Sequence, residues 1–97
     1  MVRYERVGAA ALLTIDRPER RNAVDGPTAA ALLEGYERFV ADDGAAVLVL
    51  TGAGEDSFCA GADLKALATL NLDAPGGPMG FTRLTSPKPT IAAVQGW

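Results

Sequence analysis

Apolar positions follow two rhythms along this chain. Near the N-terminus they are dense and short-range. Residues 2–7 and 10–16 read as strands, and Gly8-Ala9 between them predicts a hairpin. The second run, Ala10-Ala11-Leu12-Leu13-Thr14-Ile15, is nearly all apolar, the pattern of a strand covered on both faces. Asp16-Arg17-Pro18 ends it, because proline lacks a ladder donor and restricts the residue before it. A loop reaches to about Val24, and then the rhythm changes. Ala29, Leu32, Leu33, Tyr36, Phe39 and Val40 fall on one helical face, which predicts an amphipathic helix to about Ala41. Asp25 is its expected N-cap, Pro27 falls in the first turn where proline is tolerated, and Asp42-Asp43-Gly44 ends it.

The continuous apolar run Ala46-Val47-Leu48-Val49-Leu50-Thr51 suits a buried parallel strand. Strand, helix, strand in this order is the signature of a crossover unit and of an α/β fold. Gly52 to Ser57 predicts a loop and Asp63 to Leu70 a short helix. Residues 73–80 are rich in glycine and proline and predict a mobile segment. A short helix over 80–86 and a buried strand over Thr90–Val94 follow, with Pro87-Lys88-Pro89 as a connector whose lysine is expected in solvent. No repeat or low-complexity tract interrupts the pattern.

Composition narrows the chemistry. The 97 residues suffice for one small domain. A net charge of −3 argues against a nucleic-acid surface, which needs clustered Lys and Arg. Arg17, Arg20 and Arg21, broken by Glu19, form the only local basic excess. Such a cluster fits a phosphorylated small molecule or a solvated loop, and composition does not separate the two. There is no histidine, which excludes Ser-His-Asp and Cys-His catalysis within the chain and argues against a metal site. A single cysteine, Cys59, forms no internal disulfide and fits a reducing, cytoplasmic setting. No apolar run reaches membrane-span length, so no membrane partner is expected, and Met1 to Arg6 lacks the apolar core of a signal peptide.

Three stretches then stand out. Leu13-Thr14-Ile15-Asp16-Arg17-Pro18-Glu19, with Asn22-Ala23 following, resembles the opening of the enoyl-CoA hydratase/isomerase (crotonase) family. Ser57-Phe58-Cys59-Ala60-Gly61-Ala62-Asp63-Leu64 resembles that family's acyl-CoA loop, and Lys88-Pro89-Thr90-Ile91-Ala92-Ala93-Val94-Gln95-Gly96 the strand entering its active site. Their order and spacing match across nearly the whole chain. The resemblance implies a crotonase-like (ClpP/crotonase) spiral of ββα turns with stacked sheets. Residues 1–97 would be the N-terminal part of such a domain, truncated before the catalytic glutamates. It implies an acyl-CoA thioester as partner, with coenzyme A part of the substrate and no separate cofactor. The parent reaction is hydration of 2-enoyl-CoA, or another reaction through a stabilised thioester enolate.

Site residues carried by the resemblance are few. The backbone N–H of Ala62 matches one oxyanion donor, and loss of one such donor typically costs about 10²–10³ in rate. Ala60, Gly61 and Ala62 let a thioester approach the backbone closely. Asp63-Leu64-Lys65 would open a helix whose N-terminus adds positive partial charge. Arg21 and Ala23 match the loop lying along coenzyme A, with Arg21 facing phosphate or solvent. Taken without the flanking motifs, the same residues also fit a tight loop capped by Asp63 that holds no ligand. The family's second donor and its two glutamates come from sequence beyond Trp97, so the chain alone is expected to be inactive. The family forms homotrimers or hexamers completed by C-terminal helices, which leaves assembly of a shortened chain in question. The other function class is a non-catalytic acyl-CoA-binding or subunit-interaction fragment. Asn22 is expected to bond local backbone, Cys59 to pack, and Asp56 and Asp63 to serve as turn and cap residues. Gly52-Ala53-Gly54 after a strand suggests a dinucleotide-binding turn, but a third glycine is replaced by Ser57 and Glu55-Asp56 would repel a pyrophosphate.

Overall fold

A four-stranded mixed sheet with one long helix on its face organises residues 1–96, which the computed structural model describes. Strand β1 (Val2–Val7) turns at Gly8, in the left-handed region, and returns as β2 (Ala10–Ile15), with Val2 opposite Ile15 and Val7 opposite Ala10. Helix α1 (Gly26–Ala41) carries the chain back, and β3 (Val47–Gly52) then lies parallel to β2 with Ala10 beside Val47 and Ile15 beside Gly52. Strand β4 (Thr90–Ala93) is parallel to β3 and forms the sheet edge. The crossover order expected from the sequence is the order observed.

The core lies between α1 and the centre of the sheet. Ala11, Leu13 and Ile15 of β2 and Leu48 of β3 meet Leu32, Tyr36 and Phe39 of α1. The buried face of α1 is turned relative to the expected one. Thr28 and Gly35 are buried, whereas Leu33 and Val40 are only half-buried. Gly35 explains the tilt: a Cβ there would stand 2.5 Å from Leu13 Cδ1, so the helix backbone sits directly on β2 at this point. Asp25 caps α1 as expected, accepting from the Thr28 N–H at 2.9 Å.

Four sequence expectations are corrected. Lys88 is not a solvated connector. Its ammonium donates to the carbonyls of Phe39, Asp42 and Ala45 at 3.0, 2.8 and 2.8 Å, closing the C-terminal end of α1, where carbonyls lack helical partners. Residues 80–86 form turns, not a helix, held by Tyr36 and Phe81 rings stacked at 5.0 Å. At their start, Gly80 lies so close to α1 that a Cβ would meet the Ala29 carbonyl at 2.5 Å. Finally, β4 is exposed along all four residues, and Ile91 is 55% exposed, because at the sheet edge no second layer covers it among the described residues. Strand β3 is likewise covered less than its apolar run implies, with only Leu48 and Gly52 buried.

Candidate functional site

Two loops meet beyond the C-terminal ends of β2 and β3. One runs from Asp16 to Asp25, the other from Ala53 to Asp63. Asn22 joins them. It is fully buried and sits at φ 57, in the left-handed region that asparagine tolerates better than most residues. Its Oδ1 accepts from the Arg17 N–H at 2.8 Å, and its Nδ2 donates to the carbonyls of Ala53 and Ser57 at 3.0 and 2.8 Å. The local backbone bond expected of Asn22 is therefore present, with two long-range bonds that the sequence did not show. Gly52 makes room for them, since a Cβ there would stand 2.6 Å from Asn22 Nδ2 and 2.1 Å from the Phe58 carbonyl oxygen. The Arg21 carbonyl adds a second tie, accepting from the Ser57 hydroxyl at 2.9 Å and the Ala60 N–H at 3.1 Å.

Past this junction the loops pair once. Val24 and Ala62 form an isolated parallel bridge, with the Val24 N–H donating to Gly61 and the Asp63 N–H donating to Val24, both at 2.8 Å. In a parallel pair the residue between those two contacts turns its own N–H away from the partner. That residue is Ala62, and its N–H has no acceptor among the described residues. Ala62 is also one of the residues lining a cleft of about 540 Å³, with Arg21, Ala23, Ala60, Asp63, Leu64 and Lys65 together with Glu19 and Arg20. Gly61 is the one expected site residue off this lining. At φ 99 it turns the chain so that its carbonyl meets Val24. Behind Val24 lies a smaller apolar hollow of about 150 Å³ that includes Phe58, Cys59, Met79 and Phe81. Cys59 is half-buried and packs against the core, in keeping with a packing role.

Charges divide between the cleft and its back wall. Arg20, Arg21 and Lys65 line the cleft as cations, with Glu19 beside them. Arg17 does not join them, which corrects the reading of one basic cluster. Its guanidinium turns inward, bonds the Ala23 carbonyl, and lies 3.3 Å from Asp25 Oδ2 and 3.2 Å from Asp63 Oδ2. Burial pushes the Asp25 carboxyl up, but the Thr28 hydroxyl and amide and the nearby Arg17 outweigh it and hold the group below the usual carboxylate range. Asp63 is buried and caps the segment after it, accepting from the Lys65 N–H at 3.1 Å, as expected of a cap. That segment, Leu64–Thr69, is a 3-10 helix broken at Ala66 (φ −120), so the positive helix end expected to assist Ala62 is weak here. The dinucleotide reading also falls away, because β3 is followed by bends through residues 53–56 with no helix opening.

The chain belongs to the enoyl-CoA hydratase/isomerase family, whose model matches residues 5–97. The carnitinyl-CoA dehydratase of Salmonella arizonae is 44% identical over 101 residues, covering 99% of this chain and 38% of that protein. Among solved structures, a carnitinyl-CoA hydratase from Mycobacterium avium superposes with a TM-score of 0.88 at 44% identity, covering 98% of this chain and 38% of that one. An enoyl-CoA hydratase from Mycobacterium marinum gives 0.87 at 42% identity, covering 97% and 37%. The fold is thus crotonase-like, and the chain spans well under half the length of the relatives it matches.

Proposed function

We propose that this chain forms the acyl-CoA-binding face of an enzyme that hydrates 2-enoyl-CoA thioesters, with the Ala62 N–H as an oxyanion donor. One observation carries the reading: the amide of Ala62 has no acceptor among the described residues, and Ala62 stands on the wall of a cleft flanked by Arg20, Arg21 and Lys65. A thioester carbonyl seated there would accept from Ala62 and gain charge as the enolate forms, while the cations suit the phosphates of coenzyme A. Small side chains at Ala23, Ala60 and Ala62 leave the backbone open to that approach. The relatives named hydratase and dehydratase share one reversible chemistry, addition and loss of water, which fits an enolate stabilised at this amide.

Among the described residues the cleft offers Glu19 and Asp63 as its only acids. Asp63 is committed to Arg17 and to the Lys65 amide, so no acid/base pair faces Ala62. The 97-residue polypeptide is therefore expected to bind an acyl-CoA without turning it over. Calorimetric titration with butyryl-CoA and with coenzyme A tests this. The thioester should bind more tightly than the thiol, and Ala62→Pro, checked for folding by circular dichroism, should erase the difference because proline has no N–H. Cys59→Ala should leave it intact. Equal affinity of parent and folded Ala62→Pro for the thioester would remove Ala62 from the donor role. Loss of crotonyl-CoA absorbance in proportion to added protein would overturn the inactivity.

A further inference from the structure

We propose that Arg17 is a positioning residue for the Ala62 amide, holding the Val24–Ala62 bridge from behind so that the N–H keeps its outward direction. The inference rests on the reading of Ala62 as a donor. The bridge itself is slender. It is one isolated pair with two backbone hydrogen bonds and no flanking ladder to fix its orientation. Arg17 supplies the missing constraint from both sides. Its Nη1 donates to the Ala23 carbonyl and its Nη2 lies within 3.3 Å of Asp25, on the two neighbours of Val24. The same Nη2 lies 3.2 Å from Asp63, the neighbour of Ala62. One planar guanidinium therefore spans both partners of the pair.

The root of the side chain is fixed as well. The Arg17 N–H donates to Asn22 Oδ1 at 2.8 Å, and its carbonyl accepts from the amides of Arg20 and Asn22 at 2.9 and 2.8 Å. The side chain is 13% exposed and does not line the cleft, so it reaches the thioester only through the bridge. Arginine is required for this geometry. A lysine ammonium keeps the charge but not the fork that serves three acceptors in set directions. Without any cation, Asp25 and Asp63, both within 3.3 Å of one nitrogen, would repel each other across the bridge.

The test reads carbonyl polarisation separately from binding. The probe is [1-13C]butyryl-CoA, which has no double bond to hydrate, and the readout is the infrared stretch of its 13C=O when bound. In the parent protein the band should move to lower frequency than in solution. Arg17→Met and Arg17→Lys should lose most of that shift, while the dissociation constant for coenzyme A itself stays within about twofold, the range of a substitution remote from the contact. No binding or no shift in the parent overturns the donor reading, and this inference with it. A parental shift in folded Arg17→Met overturns the inference alone. A full shift in Arg17→Lys overturns the role of the fork, leaving only charge. If Arg17→Met does not fold, Arg17→Lys decides, because it keeps the counter-charge that Asp25 and Asp63 require.

Discussion

Replacing Asn22 should disturb this chain more than removing any other polar side chain. Asn22→Ala strips three partners of their bonds: the Arg17 N–H and the carbonyls of Ala53 and Ser57. A buried group left unpaired costs about 1–3 kcal/mol. The Ser57 contact is buried, while the other two are half-buried and water offsets part of their loss. Alanine at φ 57 adds about 1 kcal/mol, since it lacks the local hydrogen bonding that helps asparagine there. The sum is about 3–5 kcal/mol, a large share of the roughly 5–15 kcal/mol typical of a small domain. Asn22→Asp sharpens the test, because it keeps the shape and the acceptor. Its carboxylate would face the two carbonyls that Nδ2 now serves, so the folded-state pKa is raised above the unfolded value. The penalty is then full at neutral pH and shrinks as pH falls through that raised pKa. Urea unfolding followed by circular dichroism, at neutral and at mildly acidic pH, measures both variants. A parental midpoint for Asn22→Ala, or an Asn22→Asp penalty that ignores pH, would refute the reasoning.

Other consequences are independent of that one. Lys88→Met leaves the carbonyls of Phe39, Asp42 and Ala45 without their cation and should destabilise by about 2–3 kcal/mol, a melting shift of roughly 10 °C or more. Asp25 has a lowered folded-state carboxyl, so its contribution is present above the ordinary value of about 4 and lost as pH falls through the native pKa; Asn at this position should flatten the acid limb of a stability–pH curve. Gly52→Ala should unfold the chain or shift its melt by many degrees, since a methyl would stand 2.1 Å from the Phe58 oxygen, and a parental melt would deny the close approach. The open edge at β4, with Ile91 and Val94 exposed, should drive concentration-dependent self-association that Ile91→Lys reduces, as read by sedimentation velocity.

The parts of this fold legible in the sequence are those that local apolar pattern writes. Helix α1 follows from a face written every third to fourth residue, and the hairpin and the parallel strand β3 from short apolar runs bounded by glycines. The site was legible differently. Ala23, Ala60, Ala62 and their neighbours have no periodic signature, and only likeness to a family pointed to them. The structure then brought all but Gly61 onto one cleft. Polar ties were the blind spot. Arg17 and Lys88 look like ordinary surface cations, and their partners lie up to 46 and 49 positions away. The exposure of β4 was misread for a related reason: an apolar run reports what a strand can bury, not whether a neighbour is there to bury it.

The Val24–Ala62 bridge also bears on the order of events in folding. Its partners are 38 positions apart, and Asn22 reaches across 31 and 35 positions to Ala53 and Ser57. The hairpin and α1 can form from near neighbours, at low loop-closure cost, whereas these contacts must wait until β3 has docked beside β2. The outward amide of Ala62 thus has no existence in any partly folded state that lacks the crossover. Nascent chains would acquire the cleft late and all at once, and partial opening would dissolve it before the helix melts. Slowly exchanging amides should accordingly include Leu13 and Leu48 in the sheet centre, while the Val24 and Asp63 amides exchange through the first, cheapest opening.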